Sequence, residues 1–499
     1  MRFQVIILWS DVLIWLLVAG SIGLVALIAK NPPLLAAWRR VGSNRVGMAS
    51  AVVLLAFILI GLLDSLHYRA QLESKPGQPA IYAVEVLSVF DALLTPLRTH
   101  NEKTYSKPFA TRLYAKETID LPGQGSVRDY PRLKYGGAHL GTLESELAAD
   151  VGTTAFRAAA LALLVWLAVA GGVSLAVGRG ADGASSGELS RAAGTPATIE
   201  TTAGSRTIEA TAGSRINGSG WQKIWRGETA FAWNAVLIML GLLLLVGMPL
   251  FSLSGQYHVF GTDKVGQDVL YQVLKSVRTG LIIGLLTTLV MLPMAVLLGI
   301  IAGYFRGWVD DLIQYIYTVL SSIPGVLLIA AAVLMMQVVI DTHPEWFSTA
   351  AERADLRLLA LCFILGITSW TGLCRLLRGE TLKLRELEYI QAAQAFGVSN
   401  KRIIIRHILP NLMHIVIIAL VMDFSGLVLA EAVLSYVGIG VDPSMTSFGT
   451  MINSARMELG REPVVWWSLA AAFSAMFILV LAANIFADAV RDAFDPRAA

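Results

Sequence analysis

Charge is what this 499-residue chain has least of: Asp, Glu, Lys and Arg make up 15% of it, against 55% hydrophobic residues. So little polar surface cannot coat a water-soluble body of this size, whatever its fold, and the natural solvent is lipid. The net charge of +3 is too small to point to nucleic acid, and no nucleic-acid partner is expected. Cysteine is nearly absent too. Cys362 and Cys374 fall in one apolar run, where a helix would hold them about 18 Å apart, beyond disulfide reach. No row of His, Cys or Asp residues favours a metal. No G-x-x-x-x-G-K-[ST] occurs either, so the chain alone has no Walker-type loop to cradle nucleotide phosphates.

What is present is a series of long apolar runs. Crossing the ~30 Å hydrocarbon core takes roughly 20 mostly apolar residues in a helix, which satisfies its own backbone hydrogen bonds. Nine runs meet that rule, near 5–29, 48–66, 155–177, 231–253, 279–303, 312–340, 357–376, 413–437 and 466–489. The expected fold class is all-α, a polytopic membrane protein of about nine transmembrane helices. The first run is interrupted by Ser10 and Asp11 and exceeds the usual apolar length of a signal peptide, so a retained helix is expected. Asp11 would sit near the outer end of that span, where it can reach water.

Short loops rich in Lys and Arg resist translocation. The loop 30–47 holds Lys30, Arg39, Arg40 and Arg45 and no acid, and the loop 375–411 holds seven basic residues against three acidic ones. Both belong in the cytoplasm. Alternating from either anchor gives one map: N-terminus outside, residues 67–154 outside, 178–230 inside, C-terminus inside.

The organisation follows. Residues 1–66 form a leading span and a further span. Residues 67–154, with ten basic and ten acidic side chains among apolar ones, are either a small external domain or an irregular segment ordered against the membrane body. A span at 155–177 leads to a Gly/Ser/Thr-rich stretch, 178–230, with the near-repeat TIETTAGSR and TIEATAGSR at 198–206 and 207–215. That composition reads as a disordered cytoplasmic linker. It ends in WQKIWRGE, where Trp221 and Trp225 beside Lys223 and Arg226 suit either an interfacial helix or a simple cap. A span at 231–253 precedes the remaining unit, 254–499.

Within that unit, the cytoplasmic loop 377–412 contains ELEYIQAAQAFGVSNKRIIIRHILPN, Glu386 to Asn411. Small Ala392 and Ala393 permit close approach of another surface, and Gly397 suits the end of a short helix. Ser399 or Asn400 can cap a second helix, which Pro410 terminates or kinks. The product is a helix–turn–helix projection bearing Lys401, Arg402 and Arg406. It is suited to docking a cytoplasmic partner, the plainer reading being a basic loop that pairs with anionic lipid.

The spacing Gln391-Ala392-Ala393, Gly397, Ile408-Leu409-Pro410 resembles the EAA loop of bacterial ABC-importer permeases. Gln391 stands where that family has Glu, and His407 where it often has Ile. VFGTDKVGQDVLYQV at 259–273, AGYFRGWVDDLI at 302–313 followed by Pro324, LAEAVLSYVGIGVDP at 429–443 and FADAVRDAFDPR at 486–497 are similar to elements of the dipeptide, oligopeptide and nickel branch. The likeness covers 255–499. WRRVGSNRVGMASAVVLL at 38–55 resembles the family's own beginning, so one leading helix and an insertion within 67–253 are additions to it.

The resemblance implies a type I ABC-importer permease core in the C-terminal half, itself non-catalytic and without a cofactor. Its partners would be a homologous second permease, two ABC ATPase subunits that hold ATP-Mg, and a periplasmic or lipid-anchored solute-binding protein, all at a bacterial inner membrane. Gln391, Ala392, Ala393, Gly397, Lys401, Arg402 and Pro410 would couple to the ATPase. Gly261, Thr262, Asp263, Gly266, Asp268, Asp442 and Pro443 would face the binding protein, though turn chemistry accounts equally well for Gly261, Gly266 and Pro443. Asp423 and Glu431 are ionisable residues inside a span and hence pathway candidates; a carboxyl hydrogen-bonded between helices is the alternative for Asp423, and helix packing or an outer gate for Glu431. The expected cargo is a peptide. Nickel or another small solute remains open, and more distant rivals are a membrane receptor or a proton-driven secondary transporter.

Overall fold

The computed structural model describes residues 3–72, 81–121, 125–140, 146–192, 220–347 and 349–494. Among these, nine helical stretches are long and apolar enough to cross a membrane, as the apolar runs require. The first part of the chain forms β1 (Phe3–Ile6), α1 (Trp9–Lys30), α2 (Pro32–Ser43) and α3 (Arg45–Asp64). The segment that follows holds β2 (His67–Ala70), β3 (Leu87–Ser88), α4 (Val89–Leu93), α5 (Thr95–Thr99), β4 (Glu117–Leu121) and β5 (Gly125–Asp129). Next come α6 (Leu147–Ala192), α7 (Gly220–Arg226) and α8 (Trp233–Ser254). The remaining half comprises α9 (Val269–Phe305), α10 (Trp308–Ser322), α11 (Gly325–Thr342), α12 (Ala350–Ser369), α13 (Thr371–Arg385), α14 (Glu388–Ala395), α15 (Asn400–Ile403), α16 (Leu409–Tyr436), α17 (Phe448–Glu458) and α18 (Trp467–Phe494).

Central α9 packs against α3, α10, α12, α13, α16 and α18. Half of its most apolar stretch is buried, against 6% for α1, so α9 is the core and α1 lies at the periphery. Gly299 and Gly303 let α13 approach closely, since a Cβ on them would lie 2.8 Å from the Cys374 carbonyl and 2.7 Å from that of Arg378. The helices α6 and α8 pair beside this core. There the Trp166 indole covers Gly241 and donates to the Leu237 carbonyl at 2.7 Å.

Four expectations change. The apolar run at 312–340 is two helices: Pro324 cannot donate an amide, Ile323 before it is extended (φ −89°, ψ 133°), and the chain breaks between α10 and α11. The first span begins at Trp9, because Phe3–Ile6 is taken up as a strand, pairing antiparallel with β2 from Phe3↔Ala70 to Ile6↔His67. Asp11 does not reach water; it is buried, with Arg278 at 2.7 Å and His67 at 2.8 Å. The stretch expected as linker is helical up to Ala192, and its near-repeat lies outside the described residues. The Trp221–Trp225 segment forms α7, the two rings 5.7 Å apart.

The described parts of 67–140 form a cap of short strands and helices over one end of the bundle, and with β1 at Phe3–Ile6 the strands among the described residues all lie outside the spans. At that end the starts of α1, α9 and α12 and the end of α3 meet through Asp11, Arg278, Asp355 and Ser65. The end of α9 meets α13 and α15 at the opposite face.

Candidate functional site

The loop face is built on apolar anchors. Ile390 of α14, Ile403 of α15 and Ile408 are fully buried and pack with Leu377 and Tyr304, so the projection is fastened to the core. Its turn follows from Gly397, whose φ of +74° closes α14 in the left-handed conformation. The Val398 amide then returns to the Ala393 carbonyl at 3.1 Å and the Gly397 amide to Gln394 at 3.0 Å. Ser399 occupies the N-cap position of α15 without a capping side-chain bond, and Asn400 instead accepts from the Tyr304 hydroxyl at 2.9 Å. Pro410 neither stops nor interrupts the helical path. A π-helical turn over residues 404–408 runs directly into α16, and the proline sits in its first turn.

Gln391, Ala392, Gly397, Lys401, Arg402 and Pro410 are exposed, while Ala393 is half-buried against the core. Sequence reasoning missed two residues here. Phe396, at the tip, is 86% exposed, so a bare aromatic ring stands beside Gly397. Tyr304, buried at the end of α9, gathers the loop: its hydroxyl also accepts from Gln394 at 3.3 Å, and its carbonyl accepts from Arg385 at 2.5 Å. A phenol closing an apolar helix was the available signal. Arg378 adds a fork onto Asp310 at 2.5 and 2.6 Å, joining α13 to α10.

At the other face, the turn before α9 is covered by the cap. Gly261 and Gly266 have φ of +73° and +77°, and a Cβ on them would lie 2.4 Å from the Ser106 carbonyl and 1.9 Å from that of Glu102. Buried Thr262 accepts from the Ser106 amide at 2.7 Å and donates to the Thr104 carbonyl at 2.9 Å. Asp263 folds the turn on itself, accepting from the amides of Val265 and Gln267 at 3.0 and 2.9 Å. Asp268 caps α9 through the Leu270 amide at 2.8 Å and meets the His258 ring at 2.7 Å. Asp442 is buried on Arg357 at 2.6 Å. Of the seven residues expected to face a docking protein, Gly261, Thr262, Gly266, Asp268 and Asp442 are therefore enclosed, Asp263 is half-buried and Pro443 is exposed.

Glu102 of the cap accepts from the Lys134, Tyr135 and Gly136 amides at 2.8, 2.8 and 3.1 Å, and His258 lies between it, at 3.4 Å, and Asp268. Burial alone would raise the Glu102 carboxyl, yet these donors hold it down to about 2. Burial likewise opposes charge on His258, but its two carboxylate partners push it up to about 9.

Within α16, Asp423 is half-buried with no hydrogen-bond or ion-pair partner among the described residues. Glu431 is buried and accepts from Ser435 at 2.6 Å and Ser447 at 2.8 Å, so it packs α16 against the start of α17. Among the described residues no cluster of His, Cys, Asp or Glu could hold a metal ion.

Comparison with known proteins matches residues 295–499 to a family described as "binding-protein-dependent transport system inner membrane component". The oligopeptide transport system permease protein OppC of Mycobacterium tuberculosis is 31% identical over 242 residues, 48% of this chain and 77% of that protein. The glutathione transport system permease protein GsiD of Pectobacterium atrosepticum is 33% identical over 242 residues, 48% of this chain and 73% of that protein. The dipeptide transport system permease protein DppC of Bacillus subtilis is 28% identical over 292 residues, 56% of this chain and 84% of that protein.

Proposed function

The chain belongs to the family of binding-protein-dependent transport system inner membrane components, and on that premise we propose that it forms half of a peptide translocation pathway, driven through the loop at Gln391–Gly397. It is a permease subunit of an ABC importer of the peptide type. The other half is a homologous permease. Two ATPase subunits, which hold ATP-Mg, sit under the loop face, and a solute-binding protein delivers cargo at the cap face. This puts the N-terminus outside and the C-terminus in the cytoplasm, as the basic loops require.

The observation that carries the reading is the loop's construction. Its inward side is locked by Ile390, Ile403 and Tyr304, while its outward side presents Gln391, Ala392, Phe396 and Gly397 with Lys401 and Arg402 beside them. A rigid, protruding element with a bare aromatic tip transmits motion between subunits better than a flexible basic loop would. With five of its residues enclosed, the turn at 261–268 and 442–443 acts chiefly to seat the cap, and the solute-binding protein meets the cap and Pro443. Retention of α1 is favoured by Arg278, which without Asp11 would lose its carboxylate partner in a buried setting. Asp423 in α16, without a partner among the described residues, is the pathway candidate and Glu431 a packing residue.

The test is purification of tagged chain from its host in mild detergent, with identification of co-purifying subunits for wild type, Phe396→Asp and Gly397→Val. A second permease and P-loop ATPases should accompany the wild type, and both variants should lose the ATPases while keeping the permease. Recovery of the chain alone, or of ATPases equally in all three, would overturn the coupling role.

A further inference from the structure

Between α1, α3, α9 and α12 at the cap end lies a cavity of about 550 Å³, in the size range of small-molecule sites. Its wall includes Asp64, Lys275, Arg278 and Asp355, with Val86 and Met445 among its apolar lining. Each cation is already matched. Arg278 donates to Asp11 at 2.7 Å and Ser10 at 3.0 Å, and Lys275 donates to Asp64 at 2.5 Å and Asp91 at 3.1 Å. Asp355 is not. It is 3% exposed, the Ser10 amide (3.1 Å from Oδ2) and the Ser10 hydroxyl serve its carboxyl, and its Oδ1 is enclosed with no hydrogen-bond partner among the described residues. A buried carboxylate oxygen without a donor is costly to leave so, and at a cavity wall the missing donor can come from a ligand.

We propose that this cavity binds the free amino end of a short peptide, the ammonium donating to Asp355 and the first side chain resting on Val86 and Met445. The inference rests on the importer reading for its choice of peptide over other amines. A metal cation would need several convergent ligands, and no such group occurs among the described residues. An anionic ligand would find both cations engaged.

The full-length chain in detergent, titrated calorimetrically with leucyl-alanine and with N-acetyl-leucyl-alanine, tests this. The free dipeptide should bind at least about tenfold more tightly, the discrimination expected of a charged hydrogen bond. Asp355→Asn should abolish the difference, and Ala351→Trp, which fills the cavity from its wall, should remove binding of both. Equal affinity for the two probes, no binding of either at millimolar concentration, or undiminished discrimination in Asp355→Asn with full binding in Ala351→Trp would overturn the proposal. Neither probe depends on ATPase subunits, so failure of the co-purification experiment and failure of this one are separate results.

Discussion

The seal between the cap and the start of α9 should loosen as pH rises, because it depends on His258 carrying a proton between Glu102 and Asp268. The His258 pKa stands at about 9 when folded against 6.5 for the free side chain. A group whose folded pKa is raised stabilises fully below its unfolded value and loses that contribution as pH climbs through the folded one. The window is therefore pH 6.5 to 9, and the whole gap corresponds to roughly 3 kcal/mol. Glu102, held at about 2, contributes above its ordinary value of 4.5 and falls away only in acid, so it does not offset the alkaline loss. Both shifts describe one contact and are not added. Moving from pH 6.5 to pH 8.5 crosses most of the window, and the opening equilibrium should rise by more than about tenfold. Amide hydrogen exchange at Lys134, Tyr135 and Gly136, whose N–H groups donate to Glu102, reports this once corrected for intrinsic rate. Protection should fall with pH in the wild type, and His258→Gln should be poorly protected at pH 6.5 and flat above it. Constant protection in the wild type, or an equal slope in the variant, would refute the reasoning.

Three further outcomes follow from the same geometry. Gly266→Ala must fit a Cβ against the Glu102 carbonyl at positive φ, whereas Gly397→Ala meets nothing within 4 Å; both lose about 1–2 kcal/mol to left-handed backbone, so thermal unfolding in detergent should show Gly266→Ala clearly the less stable. Tyr304→Phe removes the bonds to Asn400 and Gln394, worth roughly 1–3 kcal/mol together, and should lower peptide uptake per ATP hydrolysed in reconstituted importer along with a modest fall in the chain's unfolding temperature. Asp11→Ala leaves Arg278 buried without its carboxylate, a loss of about 3–5 kcal/mol, and should lower the unfolding temperature far more than Asp423→Ala, since Asp423 has no partner to strand among the described residues.

How much of this was legible in the sequence depended on range. Spans follow from length alone, and the loop turn follows from one glycine whose positive φ no neighbour imposes, so both could be read locally. The break at Ile323–Pro324 was legible in principle, because proline restricts the residue before it, but the unbroken apolar run on either side outweighed that signal. What could not be read is what long-range packing decides. Ser106 and Thr262 stand 156 residues apart and are joined by three hydrogen bonds; Asp11 and Arg278 stand 267 apart. Polar residues in turns look exposed in a sequence because turns usually are, and that assumption failed wherever the cap supplied a second surface.

The cap also changes what the turn at 261–268 can mean. Without the cap, a turn of this composition at the start of α9 would be exposed. Here the same glycines admit the cap backbone to within a distance no side chain could share, Asp268 is spent on the α9 cap and on His258, and Asp263 on the turn's own amides. Turn and cap are thus mutually required: a Cβ at Gly266 would expel Glu102, and loss of Glu102 would take from the buried His258 one of its two carboxylate partners. The cap is therefore fastened to the start of α9 at several points, His258, beside Glu102, meeting Asp268 at 2.7 Å and Asp91 accepting from Tyr271 at 2.8 Å and Lys275 at 3.1 Å.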